Sequence, residues 1–296
     1  MEPVPGSKLR LPKWAKRKIG THGSIHKMKE VLRREGLHTV CEEARCPNLG
    51  ECFSKPTATF MVMGDVCTRD CGFCDVTAGT PKLLDTEEPV KIARVSRELG
   101  LKHVVITSVT RDDLPDGGAG HFAATIRELR KAIPDASIEV LTPDFKGDVV
   151  FLMPLAKEPP DIFNHNIETV PRLYSVVRPQ ADYERSLKVL KSMKALKPEI
   201  ITKSGIMLGL GEKREEVLAV MDDLRGIGCN VLTIGQYLRP SKENLPVVEY
   251  IDEEVFAEYG NIAREKGFIH VASAPLVRSS FNAEEVRKIM KVQVWV

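Results

Sequence analysis

The chain has 296 residues, of which 43% are hydrophobic and 28% are charged, as in a soluble globular protein large enough for one α/β domain. No apolar run approaches the ~20 residues of a membrane span, and no apolar signal segment precedes the first charged residues. Seven cysteines in such a chain favour metal ligation in the reducing cytoplasm over disulfide bonds. We therefore expect a cytoplasmic protein that has no membrane partner.

The net charge of +2 is unevenly distributed. Residues 1–35 contain ten Lys or Arg and three Glu, which gives +7 there and leaves −5 for the other residues. This basic arm is either a solvated tail or a surface that attracts an acidic partner protein. Aromatic residues are not interleaved with the basic ones as they are in single-strand binders, so we expect no nucleic-acid partner.

Strand-like and helix-like segments alternate along most of the chain. A short helix is predicted over 25–36, where Gly36 ends it. Strands are then predicted over 59–63, 103–107, 137–141, 161–163, 201–208 and 231–234. Amphipathic helices are predicted over 90–99, 122–133, 149–155, 183–196, 215–227 and 253–266. This alternation indicates a parallel sheet of right-handed βαβ units. Six repeats are too few for a closed eight-stranded barrel, so the fold class is α/β, a partial (β/α)6 TIM-like barrel that is open on one side.

Three cysteines directly follow the first of these strands. Cys67, Cys71 and Cys74 have the spacing C-x3-C-x2-C. A structural zinc ion takes four protein ligands, whereas three thiolates on one loop suit a cubane iron–sulfur cluster that keeps one iron free. The alternatives at this point are an irregular zinc site and chemically inert thiols.

A second group of cysteines precedes the barrel. Cys41, Cys46 and Cys52 have the spacing C-x4-C-x5-C on a loop-like stretch, again one ligand short of a closed site. The fourth ligand either comes from elsewhere or is missing. The C-terminal pair Ser279 and Ser280 could supply one, and a serine oxygen is a weak iron ligand that suits a cluster meant to come apart. The seventh cysteine, Cys229, stands alone and is predicted to be a buried core thiol.

Polar residues and glycines follow the ends of the predicted strands, where the chemistry of a parallel barrel takes place. These candidates are Thr107, Ser108, Asp116, Gly117, Gly118, Asn164, His165, Asn166, Glu168, Arg172, Arg178 and Gly209. The spacing of the glycines around Gly209 is not that of the G-x-G-x-x-G fingerprint, so a dinucleotide-binding fold is rejected.

The C-x3-C-x2-C motif with Phe73 before its last cysteine resembles the signature of the radical S-adenosylmethionine (SAM) superfamily. Both cysteine spacings together, and Arg278-Ser279-Ser280 near the C-terminus, resemble the lipoyl synthase family of that superfamily. The matching segments are 43–48, 67–69, 107–114, 164–170, 202–212, 233–238 and 278–280. An alternative function within the superfamily is that of another sulfur-inserting enzyme. An alternative from a different class is a two-cluster electron-transfer protein, but such proteins usually have complete sets of four cysteines in small folds.

The resemblance implies two 4Fe–4S clusters and SAM as cofactors. Cys67, Cys71 and Cys74 would hold the catalytic cluster, and Cys41, Cys46, Cys52 and Ser280 would hold the second one. We favour Ser280 over Ser279, but the sequence alone does not decide between them. The implied SAM-binding residues are Phe73, Thr107, Ser108, Asp116, Gly117, Gly118, Asn164, Asn166, Glu168, Arg178 and Gly209.

The implied reaction is the insertion of two sulfur atoms, at the sixth and eighth carbons of a protein-bound octanoyl-lysine, with the second cluster as the sacrificial sulfur donor. The implied partners are an octanoylated lipoyl-domain carrier protein, a reductant such as a ferredoxin or flavodoxin, and an iron–sulfur carrier protein.

Two departures from the family pattern fall outside the cysteines. Phe281 stands in place of a tyrosine and Asn244 in place of a histidine, and neither is expected to touch a cysteine ligand. We divide the chain into an N-terminal extension (1–57), the partial barrel (58–267) and a C-terminal extension (268–296).

Overall fold

The computed structural model describes residues 12, 14, 22–43, 46, 48–49 and 59–280, in which eight strands form one sheet. The strands, numbered along the chain, are β1 (His38–Thr39), β2 (Thr59–Val62), β3 (Val66–Cys67), β4 (Thr77–Ala78), β5 (His103–Ser108), β6 (Ser137–Leu141), β7 (Ile162–Asn164), β8 (Ile201–Leu208), β9 (Val231–Gln236) and β10 (His270–Ser273). The order in the sheet is β1-β2-β5-β6-β7-β8-β9-β10, and β3 and β4 form a separate pair.

Helices connect the successive parallel strands and cover the sheet. They are α1 (His22–Glu35), α2 (Val40–Glu43), α3 (Glu88–Glu98), α4 (Ala119–Ala132), α5 (Val149–Lys157), α6 (Tyr174–Val177), α7 (Tyr183–Leu196), α8 (Arg214–Gly226) and α9 (Glu253–Glu265). Among the described residues, no helix combines the length and the apolar character that a membrane crossing requires.

The prediction of a partial (β/α)6 barrel is confirmed. Each of the six predicted strands lies within two residues of its observed bounds, and the pairs from β2 through β5, β6, β7, β8 and β9 are parallel. The apolar runs in the sequence predict these strands correctly because the strands are buried. All four residues of β2 are buried, as are all six of β9.

Two strands of the main sheet were not predicted. β1 pairs antiparallel with β2 at one edge, and β10 pairs parallel with β9 at the other. β1 has only two residues, and every residue of β10 is half-buried, so neither carries the long buried run that marks the central strands.

The helices form where apolar residues recur every three or four positions. In α7, Leu187, Leu190 and Met193 are buried on one face, and the side chain of Asp182 accepts a hydrogen bond from the Arg185 amide at 2.7 Å to cap the helix. The observed bounds of α7 are the predicted ones. α8 and α9 differ from the predicted bounds by one residue at most at each end.

The sheet brings the loops after its strands to one end of the barrel. The register pairs Thr107 with Leu141, Leu141 with Asn164, and Asn164 with Lys203. Because these strands are parallel, the segments that follow them all leave the sheet at the same end of the barrel, where the strands terminate. The first cysteine loop and most of the polar residues singled out in the sequence lie at this end.

Candidate functional site

A tight turn sends the chain from β2 into the first cysteine loop. Met63 has φ of 69° and Gly64 has φ of 90°, so two successive residues adopt the left-handed region. This conformation is costly for Met63 because it has a Cβ atom. Its backbone is held on both sides, since its amide donates to Glu88 Oε2 at 2.9 Å and Arg111 Nη1 donates to its carbonyl at 3.3 Å.

The cysteines Cys67, Cys71 and Cys74 lie on this loop as half-buried free thiols. The Cys74 amide donates to the Cys71 carbonyl at 3.0 Å. Burial raises the pKa of the Cys71 thiol, and it raises the pKa of Cys74 to about 12, with a further contribution from the charges of Cys71 and Cys67. Such thiols are neutral at pH 7, so a bound metal must displace their protons.

The arrangement of these thiols fits a cluster better than a single ion. Within the described ranges, no three His, Cys, Asp or Glu side chains are grouped closely enough to hold one metal ion. In a cubane cluster each thiolate binds a different iron atom, so the three sulfur atoms need not converge on one point. The donor set of three thiols on one loop therefore fits a 4Fe–4S cluster with one iron that has no protein ligand.

Two neighbouring segments hold the far end of the loop. The Gly72 amide donates to the Val177 carbonyl at 3.0 Å, and the Gly72 carbonyl accepts from the Leu245 amide at 2.8 Å. Phe73 packs against an apolar group that contains Val177, Leu210 and Tyr237. Phe73 thereby anchors the loop between the second and third cysteines to the end of β9.

The expectation that Asn244 does not touch a cysteine ligand is wrong. Asn244 Nδ2 donates a hydrogen bond to the Cys74 carbonyl at 2.7 Å, and Asn244 Oδ1 accepts one from Ser241 Oγ at 2.7 Å. The two residues are 170 positions apart in the chain, and the segment after β9 folds back over the cysteine loop. The other departure, Phe281, lies outside the described residues.

The glycine-containing turn after β5 is organised by Asp116. Its carboxylate accepts hydrogen bonds from the amides of Gly118 and Gly120 at 2.9 and 2.8 Å, and the second of these amides belongs to the first turn of α4. Gly118 has φ of 88°, and a Cβ atom there would overlap the Met63 sulfur. Asp116, Gly117 and Gly118 thus pack the turn against the start of the cysteine loop.

The other candidates at the end of β5 have different environments. Thr107 Oγ1 donates to the Leu141 carbonyl at 2.9 Å, so this hydroxyl links strands β5 and β6. The hydroxyl of Ser108 is buried and has no hydrogen-bond partner among the described residues. Buried polar groups generally have partners, so Ser108 is the better candidate of the two for contact with a bound molecule.

The segment after β7 forms a buried polar cluster, as its sequence predicts. Asn164, His165 and Asn166 are all buried. Asn164 Nδ2 donates to Glu139 Oε1 at 3.0 Å inside the barrel. Asn166 Nδ2 contacts Glu168 Oε1 at 3.0 Å and Ser279 Oγ at 2.6 Å. The segment therefore joins the barrel interior to the C-terminal part of the chain.

Glu168 is held in a strained backbone conformation within this cluster. Its φ is 66°, and it bridges to β8, since its amide donates to the Gly205 carbonyl at 2.9 Å and its carbonyl accepts from the Met207 amide at 2.8 Å. Burial raises the pKa of its carboxyl group. Strain at a non-glycine residue that is clasped from both sides is typical of functional positions.

Arg178 supplies a buried positive charge beside Glu168. Its Nη1 donates to the Asn166 and Ile167 carbonyls at 3.0 and 3.2 Å, and its guanidinium lies 5.4 Å from the centre of the Tyr174 ring. Burial alone would lower the pKa of Arg178, but the nearby acidic groups of Tyr174 and Glu168 raise it. Its Nε has no hydrogen-bond partner among the described residues, which suits a site for an anionic group.

Gly209 lies at the end of β8, where a side chain could not fit. Its φ is 101°, and a Cβ atom would overlap Gln236 Nε2 and the Glu249 carbonyl. Gln236 Nε2 itself donates to the Glu249 carbonyl at 2.9 Å. The close packing of β8, β9 and the following segment thus accounts for this glycine without a ligand. Arg172 is half-exposed and bidentate with Glu216 at 2.7 and 2.8 Å.

The described part of the second cysteine group, through Cys46 and the nearby Asn48, lies next to the C-terminal segment 276–280. Cys41 is buried in α2 and Cys46 is half-buried, whereas Cys52 lies outside the described residues. Asn48 Nδ2 donates to the Leu276 carbonyl at 2.7 Å. Burial lowers the pKa of Arg278, while the charges of Cys46 and Glu168 act to raise it. Arg278 therefore lies between the second cysteine group and the polar cluster of the barrel.

The ionic contacts of two buried cationic side chains, Arg69 and Lys203, were not anticipated from the sequence. Arg69 pairs with Asp112 and Asp144, and Lys203 Nζ contacts Glu139 Oε1 at 2.9 Å inside the barrel. A lysine inside the buried strand β8 is the one local signal in the sequence for the contact of Lys203. Nothing in the sequence near Arg69 identifies its partners, because they are 43 and 75 residues away.

A partial parallel barrel with three cysteines on the loop after its first parallel strand defines the class of protein, a radical SAM enzyme. The family model described as the radical SAM superfamily matches residues 61–224, more than half of the chain. The fold also resembles solved radical SAM structures. It matches methylornithine synthase with a TM-score of 0.55 at 12% identity, covering 79% of this chain and 80% of that one. It matches the FeFe-hydrogenase maturase of Carboxydothermus hydrogenoformans with a TM-score of 0.56 at 15% identity, covering 79% and 65%.

The particular family follows from closer relatives. The model described as the N-terminal domain of lipoyl synthase matches residues 3–46. The chain is 56% identical over 276 residues to the lipoyl synthase of Caldanaerobacter subterraneus subsp. tengcongensis, covering 93% of this chain and 96% of the relative. It is 55% identical over 274 residues to that of Rubrobacter xylanophilus, covering 93% and 85%. The chain belongs to the lipoyl synthase family. Its enzymes use SAM and two 4Fe–4S clusters, so the predicted enzyme class and cofactors are confirmed.

Proposed function

We propose that Cys67, Cys71 and Cys74 hold the cluster that reacts with SAM. This cluster supplies the electron that splits SAM into methionine and a radical able to remove hydrogen from an unactivated carbon. The proposal is supported by the position of the three thiols on one loop and by the contacts that fix this loop to β2, α6 and the segment after β9. The protein's own contribution is to hold the thiols at one edge of the barrel.

The residues proposed to bind SAM surround that loop. They are Phe73, Thr107, Ser108, Asp116, Gly117, Gly118, Asn164, Asn166, Glu168, Arg178 and Gly209. The support is strongest for Ser108, Asn166, Glu168 and Arg178. The first two and Arg178 have buried polar atoms without a hydrogen-bond partner among the described residues, and Glu168 has a strained backbone. A guanidinium such as that of Arg178 suits the carboxylate of SAM, and the carboxyl oxygens of Glu168 can accept hydrogen bonds from hydroxyl groups. Thr107, Asp116 and Gly209 have less support, because contacts within the fold account for them.

We propose that Cys41, Cys46, Cys52 and Ser280 hold the second cluster. The contact between Asn48 and the Leu276 carbonyl ties the second cysteine group to the segment that contains Ser280. The neighbouring serine is already engaged, because Ser279 Oγ contacts the Asn166 amide at 2.6 Å. This engagement favours Ser280 as the fourth ligand.

The proposed reaction is the insertion of sulfur at the sixth and eighth carbons of an octanoyl-lysine, with sulfide of the second cluster as the source of both atoms. The proposed substrate is a lipoyl-domain carrier protein. A ferredoxin or flavodoxin is the proposed reductant, and an iron–sulfur carrier protein is proposed to resupply the second cluster. The proposed location is the cytoplasm, where thiols stay reduced and available to clusters.

We also propose that residues 1–57 and 268–296 act as extensions that complete a barrel over 58–267. The support is that Asn48, which lies between Cys46 and Cys52 in the sequence, contacts Leu276 of the C-terminal segment, and that Ser279 of this segment contacts Asn166 of the barrel. This juxtaposition is the single observation on which the assignment of two clusters to one active site depends.

The experiment that tests the proposal measures iron and acid-labile sulfide per chain after anaerobic reconstitution. The measurement is repeated after one incubation with SAM, reductant and an octanoyl-lysine peptide. We expect roughly eight iron atoms, falling toward roughly four as sulfur appears in the peptide. The matched variant Cys46→Ala, which has no ligand atom at this position, should begin with roughly four and leave the peptide unsulfurated. An unaltered count of about eight in that variant would contradict the assignment of Cys46.

A further inference from the structure

Arg69 is a buried arginine inside the first cysteine loop. Its side chain is 6% exposed, although arginine is usually a surface residue. Its guanidinium lies between two carboxylates. Nε and Nη2 donate to Asp112 Oδ2 and Oδ1 at 2.7 and 3.0 Å, and Nη1 and Nη2 donate to Asp144 Oδ2 and Oδ1 at 2.8 and 2.7 Å. Four charge-assisted hydrogen bonds thus fix one side chain in two bidentate pairs.

The two carboxylates come from different loops. Asp112 follows β5, and Asp144 follows β6, so Arg69 ties the cysteine loop to the ends of two barrel strands. Burial alone would raise the pKa of Asp144, but the Arg69 guanidinium holds it well below its usual range. Asp144 is fixed in turn by the Lys146 amide at 3.1 Å and by Arg185 Nη1 at 3.3 Å.

The backbone of Arg69 meets the first cysteine of the loop. The amides of Arg69 and Thr110 donate to Cys67 Sγ at 3.4 and 3.3 Å. The Thr68 side chain strengthens the same junction, because its hydroxyl contacts the Thr110 carbonyl at 2.9 Å and the Asp112 amide at 3.1 Å. The side chain of Arg69 therefore fixes the cysteine loop to Asp112 and Asp144, while the amide of the same residue contacts the Cys67 sulfur.

We propose that Arg69 is a positioning residue for the SAM cluster, which holds its own amide and that of Thr110 against the Cys67 sulfur and thereby sets the reduction potential of the cluster. This inference rests on the proposed assignment of Cys67, Cys71 and Cys74 as its ligands. Hydrogen bonds to the sulfur ligands of a cluster raise its potential because they stabilise the additional negative charge of the reduced form. Arg69 itself touches neither SAM nor a reacting atom in this proposal.

Lysine is the informative substitution at this position. It keeps the positive charge, but its ammonium is a point charge that cannot form two coplanar bidentate pairs. A change of potential in Arg69→Lys therefore reports the loss of geometry and not the loss of charge. The control is Arg172→Lys. Arg172 is likewise bidentate with one carboxylate, that of Glu216, at 2.7 and 2.8 Å, but it has no hydrogen bond to the cysteine loop among the described residues.

The test uses the full chain in which Cys41, Cys46 and Cys52 are alanine, so that a single cluster gives the spectroscopic signal. The midpoint potential is measured by electron paramagnetic resonance during anaerobic redox titration. We expect Arg69→Lys to lower the reduction equilibrium constant about tenfold, a shift of about 59 mV toward negative potential, with Arg172→Lys unchanged. Equal potentials in the parent and in Arg69→Lys, or equal shifts in both lysine variants, would overturn the proposal.

The double variant Arg69→Gln with Asp144→Asn covers the case in which Arg69→Lys does not fold. It removes one positive and one negative charge together, so the local net charge is kept and no unpaired buried carboxylate is left at Asp144. We expect the same negative shift, and an unchanged potential would again refute the role of Arg69. A parent chain that binds no iron would instead contradict the assignment of the three cysteines.

Discussion

Asn166 Nδ2 lies 2.6 Å from Ser279 Oγ, and this contact joins the polar cluster after β7 to the C-terminal segment. The serine is packed into the mouth of the barrel, because a Cβ atom on Gly205 of β8 would lie 3.1 Å from Ser279 Oγ and 2.9 Å from Asn166 Oδ1. A residue proposed to bind SAM thus holds the residue next to the proposed fourth ligand of the second cluster. Because of this contact, we expect different effects from replacing Ser279 and from replacing Ser280.

We expect Ser280→Ala to lose the second cluster and Ser279→Ala to keep it. Ser279 Oγ is engaged by Asn166, whereas Ser280 has no such contact with the polar cluster among the hydrogen bonds of the described residues. After anaerobic reconstitution, Ser280→Ala should contain about four iron atoms per chain, and Ser279→Ala about eight. Iron loss in Ser279→Ala alone would reverse the assignment, and full iron content in both variants would exclude a serine ligand.

Gly235 provides a second test of how the C-terminal segment is placed. A Cβ atom there would overlap the Val277 carbonyl oxygen, a backbone atom that cannot rotate out of the way. We expect Gly235→Ala to displace the segment and to halve the iron content, because the second cluster loses a ligand while the first cysteine loop is untouched. The control is Gly226→Ala at the end of α8, where nothing lies within 4 Å of the new atom. Full iron content in Gly235→Ala would show that the segment does not have to approach β9.

The ion pair between Lys203 and Glu139 predicts a large effect on stability. Glu139 is completely buried, and Lys203 Nζ contacts its two carboxylate oxygens at 2.9 and 3.1 Å. Lys203→Met leaves a buried carboxylate without its partner, which typically costs roughly 3–5 kcal/mol of the free energy of unfolding. Adding Glu139→Gln should recover most of that loss, since the glutamine carbonyl can still accept the Asn164 hydrogen bond.

Urea unfolding of the metal-free chain measures these differences. Lys131→Met is the control, because Lys131 pairs with Glu128 on the surface and its side chain is 64% exposed. Such exposed pairs contribute less than about 1 kcal/mol. If Lys203→Met is no more destabilising than Lys131→Met, the buried pair does not contribute to the stability of the barrel.

The sequence predicts the fold well because the central strands and the helices follow local rules. α7 was predicted with its observed bounds, since its apolar period and its cap at Asp182 are both local features. The cysteine groups are likewise recognised from short spacings. The contacts that organise the site are not local. Asn244 and Cys74 are 170 residues apart, and Arg69 and Asp144 are 75 residues apart. Only the folded barrel brings such pairs together, and the periodicity of the sequence does not indicate which distant residues will be in contact.

His165 makes the stability of the protein depend on pH. Its ring is 1% exposed, and Nδ1 donates to the Thr142 carbonyl at 2.8 Å, so the neutral form fits its surroundings. Burial, with the nearby charge of Arg178, lowers the pKa of His165 to about 4. An unfolded chain has the ordinary histidine pKa of about 6.5 and therefore binds more protons than the folded chain between these two values. The free energy of unfolding must then fall as the pH is lowered through that range.

We expect this histidine to remove about 2 kcal/mol between pH 7 and pH 5. Asparagine at this position keeps a donor for the Thr142 carbonyl but cannot titrate. His165→Asn should therefore show a smaller loss of stability over the same range, whatever its stability at pH 7. Urea unfolding of the metal-free chain at pH 7, 6 and 5 measures the slope, with the exposed His26→Asn as the control. A slope in His165→Asn that equals the parent slope would mean that His165 is not buried as a neutral ring.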